Sequence, residues 1–160
     1  MNDFTIYPFD RRHIYREIYL PSMRGDSIEI CVGIDDSGSI DHEDLVRYLS
    51  EVRGICSIFG EYTIYLFTCD VKIHQEFIIT AESDIPNFVV GRGGTSFVPV
   101  FDRIKELELD ELPLVYFTDL DGEFPKEKRN DVFWVVQKMG YKKQVPFGNI
   151  IEIEEGNKNG

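Results

Sequence analysis

Three polar turns gather the residues able to do chemistry, and each follows an apolar run. The first reads Asp35-Asp36-Ser37-Gly38-Ser39, the second is the glycine loop Gly91–Phe97 (GRGGTSF) with Gly94 and Thr95, and the third reads Thr118-Asp119-Leu120-Asp121-Gly122. Carboxylates and hydroxyls suit a hard divalent cation. Mg²⁺ takes oxygen ligands octahedrally at about 2.0–2.1 Å and keeps several waters. In a tight strand-to-helix turn Asp35, Ser37 and Ser39 can face one point while Gly38 lets the backbone bend, with Thr95 and Asp119 arriving from neighbouring loops. Other chemistries are poorly served. GRGGTS lacks the spacing and the lysine of a phosphate-binding P-loop. His13, His42 and His74 share no ligand spacing and read as ordinary polar or half-buried residues. Cys31, Cys56 and Cys69, an odd set without a C-x-x-C pair, lie in apolar segments and read as buried free thiols.

Strands and helices must bring these turns together. Ser27 to Asp35 holds Ile28, Ile30, Cys31, Val32 and Ile34, the near-continuous apolar run of a central strand covered on both faces. Leu45, Leu49, Val52, Cys56 and Phe59 then recur at helical spacing, with Asp41 suited to the N-cap and Gly60 to a left-handed stop. Glu61–Cys69 and Val71–Ile79 predict a tight antiparallel hairpin at one edge of the sheet. After a turn-rich connection at Ala81–Asn87 and a short segment at Phe88–Val90, Pro99 suits the first turn of a helix that buries Val100, Phe101, Ile104 and Leu107. Leu114–Thr118 and Val132–Val136 predict further strands, and Ile150, Ile151 and Ile153 a short one at the edge. The alternation predicts an α/β fold: a central, mostly parallel sheet with one antiparallel hairpin edge and helices on both faces. Ligands of such sheets sit at the carboxyl ends of the strands, where all three turns fall. The expected division is an N-terminal extension over 1–26, one domain over 27–153 and a flexible tail over 154–160.

Composition narrows the partners. The 160 residues make one domain's worth of chain, with 42% hydrophobic and 29% charged residues. No apolar run approaches the ~20 residues of a membrane span. Asp10, Arg11, Arg12, Arg16 and Glu17 interrupt the N-terminus, so a signal peptide is not expected and the protein reads as cytoplasmic. Seventeen Lys and Arg against twenty-nine Asp and Glu give a net charge of −12, which disfavours nucleic acid and anionic lipid as partners. Lys126, Lys128, Arg129, Lys142 and Lys143 read as a solvated basic face.

The order D-x-S-x-S (Asp35, Ser37, Ser39), GGTSF and TDLDG resembles the metal-ion-dependent adhesion site of von Willebrand factor type A (VWA) domains, with their Rossmann-like fold. The flanks RRHIYREIYLPS, GRGGTSFVPVF, VYFTDLDGEFP and VFWVV, from about Arg11 to Val136, are similar to the VWA-like half of a bacterial metallopeptidase family. The resemblance implies Ser37, Ser39 and Thr95 as hydroxyl ligands of Mg²⁺, with Mn²⁺ or Ca²⁺ as alternatives, and Asp35 and Asp119 binding directly or through water. A partner's Asp or Glu would complete the shell, which implies protein binding without turnover, and the partner by resemblance is an AAA+ ATPase or the peptidase half. That half's H-E-x-x-H helix is missing here, because His42-Glu43 runs on into Asp44, Leu45 and Val46. Around the site Gly94 precedes Thr95, and Arg92 would pair with an anionic partner group or, by default, with surrounding acids. Asp36 and Asp121 depart from the family pattern and raise the local negative field; Asp36 is expected to face solvent as a turn residue, with tighter cation capture as the alternative.

Two competing functions remain. VYFTDLDGEF also resembles the D-x-D-G signature of haloacid-dehalogenase-type phosphatases, which implies a metal-dependent phosphoester hydrolase with Asp119 as nucleophile and Asp121 as acid/base. That signature normally opens its domain, whereas only residues 123–160 follow it here. The other competitor is a structural interaction module whose site holds no ion in the cell.

Overall fold

The computed structural model describes residues 23–24, 27–36, 42–58, 60–87, 94–137 and 144–153. A two-residue strand, Met23–Arg24 (β1), precedes the nine-residue strand Ser27–Asp35 (β2), which is buried along nearly its whole length. His42–Ile58 (α1) leads to Glu61–Cys69 (β3) and Ile73–Ile79 (β4); Val98–Glu106 (α2) leads to Leu114–Phe117 (β5), Val132–Gln137 (β6) and Asn149–Ile153 (β7). The sheet order is β4-β3-β2-β5-β6-β7, with β1 paired to β2 off this path. Pairs β2/β3, β2/β5, β5/β6 and β6/β7 are parallel and β3/β4 is the expected antiparallel edge. The antiparallel pairing of β1 with the start of β2, Met23 opposite Ile28, was not legible in so short a segment.

Strand periodicity decides which layer each residue enters, because successive side chains leave opposite faces. Ile28, Ile30, Val32 and Ile34 pack in one layer with Leu45, Tyr48, Leu49, Val52 and Cys56 of α1. Cys31 lies in the other, with Val100, Phe101 and Ile104 of α2 and with Tyr116 and Trp134. Burying each large apolar side chain of this kind is worth roughly 1.5–3 kcal/mol. Helices therefore cover both faces, as the doubly apolar β2 requires. Among the described residues no helix is long and apolar enough to cross a membrane.

Several local expectations are met. Gly60 has a positive φ of 118°, Pro99 sits in the first turn of α2, and all three cysteines are buried thiols outside any disulfide. Others need correction. β4 begins at Ile73, leaving Val71 in the turn and 55% exposed. Leu107 is 39% exposed because α2 ends at Glu106, one residue too early to carry it into the core. Arg129 is half-buried and not part of a solvated face: its guanidinium donates to the carbonyls of Leu109, Asp110 and Leu112, tying the strand entry to the preceding turn. The expectations for Ser37, Ser39, Asp41, Phe59, the segment 88–90, Arg92, Lys142, Lys143 and the tail 154–160 lie outside the described residues.

One close approach holds β2 to the α2 layer. A Cβ on Gly33 would stand 2.8 Å from the Tyr116 ring, and that ring is stacked on Trp134 at 5.5 Å and meets the edge of Phe97 at 5.0 Å. The ring has nowhere to retreat. Gly33→Ala is expected to destabilise the fold by about 1–3 kcal/mol, the usual cost of overpacking, measured as a lower midpoint in chemical denaturation with an unchanged slope.

Candidate metal centre

The chain runs from β2 through α1 to β3 on one side, then returns to place β5 on the other side of β2. Strand order thus reverses between β2 and β5, and the crevice beyond their carboxyl ends is the place where open α/β sheets bind ligands. Ile34 lies opposite Phe117, so Asp35 and Thr118 leave the two strands side by side. Both are buried, at 1% and 0% exposure, on the face that carries α2. A carboxylate so placed is costly unless hydrogen-bonded. Thr118 Oγ1 donates to Asp35 Oδ2 at 2.7 Å, and Thr95 Oγ1 donates to Oδ1 at 3.4 Å.

Thr95 is held in place from two sides. Ser96 N–H donates to Asp70 O at 2.7 Å, while Glu123 N–H donates to Thr95 O at 3.1 Å and Phe97 N–H to Glu123 O at 2.9 Å. Gly122 permits this contact: a Cβ there would stand 2.6 Å from Thr95 Cγ2 and 3.0 Å from Thr95 O. In the third turn, Thr118 Oγ1 accepts from Leu120 N–H at 3.1 Å and Asp119 Oδ1 accepts from Asp121 N–H at 2.9 Å. Leu120 adopts a positive φ of 71° there. Asp119 is half-buried and Asp121 is exposed. Of the residues expected at a metal site, Asp35 and Thr95 are therefore in contact, and Asp119 stands in the turn fixed by Thr118. Gly94 is exposed beside Val71, whereas Ser37, Ser39 and Arg92 lie outside the described residues. Thr118 was missed as a participant, although a hydroxyl closing an apolar strand just before Asp119 was a usable signal.

Asp36 does not face solvent. It leaves β2 on the face opposite Asp35, is 6% exposed, and among the described residues neither carboxylate oxygen has a hydrogen-bond partner. Its N–H donates to Cys69 O at 3.1 Å, so the backbone ties it to the end of β3. There Asp70, 5% exposed, accepts from Lys72 N–H at 3.2 Å and lies 2.8 Å from His74 Nε2. One ligand atom each of Asp36, Asp70 and His74 falls within 4.8 Å of the others. His74 is thus a polar residue, as expected, and its partly exposed side chain pairs with Asp70. The nearby Cys69 thiol is pushed up to about 12, first by burial and then by the carboxylates of Asp36 and Asp70, so it stays protonated at neutral pH.

Burial also pushes the Asp36 carboxyl up to about 6, against a smaller opposing pull from His74 and with added repulsion from Asp70 and Asp35. A carboxyl whose folded-state value is raised loses stability as pH rises from its unfolded value, near 4, through about 6. In chelator-treated protein Asp36→Asn is expected to melt like the parent chain below pH 4 and at higher temperature above pH 6; equal melting across that range would contradict the assigned burial cost.

A family model described as a VWA-like domain (DUF2201) matches residues 30–154. Among solved structures, the crystal structure of the ArnB paralog VWA2 from Sulfolobus acidocaldarius matches with a TM-score of 0.45 and 17% identity. The match covers 72% of this chain and 35% of that one. No curated protein matches. The family match runs from within β2 to just past β7 and takes in Asp35, Thr95, Thr118 and Asp119 together with the strands that position them. The chain belongs to the VWA-like domain family DUF2201.

Proposed function

We propose that this VWA-like domain is a divalent-cation-dependent protein-binding module of the adhesion-site type. The observation that carries the reading is the buried Asp35 carboxylate at the strand-order reversal, with the hydroxyls of Thr118 and Thr95 directed onto it. Such a donor set, all oxygen and partly charged, fits Mg²⁺, with Mn²⁺ or Ca²⁺ as alternatives. In this reading Ser37, Ser39 and Thr95 supply hydroxyl ligands, and Asp35 and Asp119 bind directly or through water. When bound, the cation supplies a positive charge that an acidic partner side chain can approach.

The chain's own residues then set the terms of recognition. Thr118 holds Asp35 so that its carboxylate need not reorganise when the ion arrives. Gly122 keeps Thr95 at the mouth of the crevice. Gly94 and Asp121 are exposed on the rim, where with Arg92 they would meet the partner and reject groups of the wrong charge. The net charge of −12 favours cation capture and leaves an unneutralised site unattractive to a carboxylate. The partner would be a protein presenting Asp or Glu, with an AAA+ ATPase or a metallopeptidase domain as the first to test. The module would bind in the cytoplasm without turning over a substrate.

Calorimetric titration of chelator-treated protein with Mg²⁺ and Mn²⁺ is expected to give one saturable site, lost in Asp35→Ala and in Ser39→Ala. Absence of binding at millimolar metal overturns the reading, and turnover of a generic aryl phosphate that disappears in Asp119→Asn replaces it with the phosphoester hydrolase. Gly122→Ala is expected to weaken Mg²⁺ binding by about tenfold, equivalent to about 1.4 kcal/mol, by displacing Thr95. An unchanged affinity in that variant would remove Thr95 from the ligand set.

A further inference from the structure

Asp36, Asp70 and His74 meet on the side of the strand ends opposite Asp35. We propose that they form a second metal site, for a transition cation of the zinc class, separate from the Mg²⁺ site. The first support is proximity: one ligand atom from each residue lies within 4.8 Å of the other two, so a single ion can reach all three. The second is independent of the clustering. Asp36 is 6% exposed and, among the described residues, neither of its oxygens has a hydrogen-bond partner. Buried polar groups are almost always satisfied, and a desolvated carboxylate facing another carboxylate and an imidazole lacks only a cation.

The backbone builds this cluster. Asp36 N–H is fixed to Cys69 O, and Asp70 is locked in the hairpin turn by its own N–H to Lys72 O at 3.2 Å and by Ser96 N–H to its carbonyl. His74 reaches the pair through an irregularity in the β3/β4 ladder. Thr68 lies opposite Gln75, but the next residue, Cys69, lies opposite Ile73. His74 is therefore the extra residue of a bulge, and bulges bend a strand and re-aim a side chain. Here the side chain is 24% exposed, with its Nε2 against Asp70, which leaves a path for an ion and for water ligands.

The donor set selects the ion. Two carboxylates alone would suit Mg²⁺ or Ca²⁺, whereas an imidazole nitrogen shifts preference towards Zn²⁺ and its neighbours. Three protein ligands leave a fourth position for water or for a partner's side chain. Binding takes the imidazole neutral and both carboxylates ionised, so any proton they hold is released to solvent.

The test uses the 160-residue chain, treated with chelator and then held in millimolar Mg²⁺, titrated with Zn²⁺ by calorimetry and with Co²⁺ by visible absorption. One equivalent is expected to bind despite the Mg²⁺, with Co²⁺ showing ligand-field bands. Affinity should fall at least about tenfold in His74→Ala and in Asp36→Asn, and stay unchanged in His42→Ala and Asp119→Ala. His74 lies on an edge strand with its side chain partly exposed, so its variant is expected to fold, and Asp36→Asn is expected to be at least as stable as the parent chain. No binding over Mg²⁺, or binding unchanged in His74→Ala, overturns the proposal. So does loss in Asp119→Ala, which would assign the transition ion to the Mg²⁺ site. Failure of Mg²⁺ to bind leaves this outcome untouched, because the Zn²⁺ and Co²⁺ readouts are independent of it.

Discussion

A carboxylate buried to 1% at the carboxyl end of the central strand has to be satisfied by groups from elsewhere in the chain, and Asp35 sets that requirement. Its partners come from distant segments: Thr118 from the end of β5 and Thr95 from the loop before α2. Parallel register places the first, since Ile34 opposite Phe117 brings the next residues of both strands together. Packing places the second. Phe97, two residues beyond Thr95, is fully buried and packs against Phe124 at 4.9 Å and against Tyr116 and Trp134 at 5.0 Å each. The aromatic layer beneath α2 therefore anchors the loop that caps the crevice, linking core packing to the geometry of the candidate centre.

The same strand end produces two chemically different environments from one dipeptide. Asp35 and Asp36 point to opposite faces because a strand alternates. On the α2 face the carboxylate meets hydroxyls, a setting of hard oxygen donors. On the other face the Asp36 carboxylate meets a second carboxylate and an imidazole and has no hydrogen-bond partner among the described residues. Ser96 joins the two environments, donating its N–H to Asp70 O while its neighbour Thr95 reaches Asp35. A change at either centre thus has a short path to the other, through these two hydrogen bonds and the Thr95–Ser96 peptide link.

Much of this was legible in the sequence because the signals were local. The apolar run of β2, the helical spacing of Leu45, Leu49, Val52 and Cys56, and Pro99 at a helix start each fix an element without reference to the rest of the chain. The turns with Asp35 and Asp119 could be placed at one end of the sheet from strand polarity alone, whereas the Thr95 loop follows the antiparallel β4 and was placed there by its motif. What escaped depended on register. Asp36 reads as a solvent-facing turn residue until β3 and β4 are known to cover it. His74 shares no ligand spacing with His13 or His42, and its relation to Asp70 arises from one extra residue in β4, which no propensity reports. Arg129 looked like surface charge beside Lys126 and Lys128; its three carbonyl contacts arise from how the turn before β5 folds back. Leu107 failed for a simpler reason, since helix ends are set by capping and α2 stops one residue before it.

The central claim is that the crevice between β2 and β5 is a cation site organised by Asp35. The most direct test is amide NMR of the chelator-treated chain as Mg²⁺ is added, following every assigned residue at once. The account predicts saturable shifts concentrated at Asp35, Thr95, Thr118, Asp119 and Gly122, with the β1 end of the sheet unmoved. Shifts spread over the acidic surface without saturation, or none at those five positions, would contradict it.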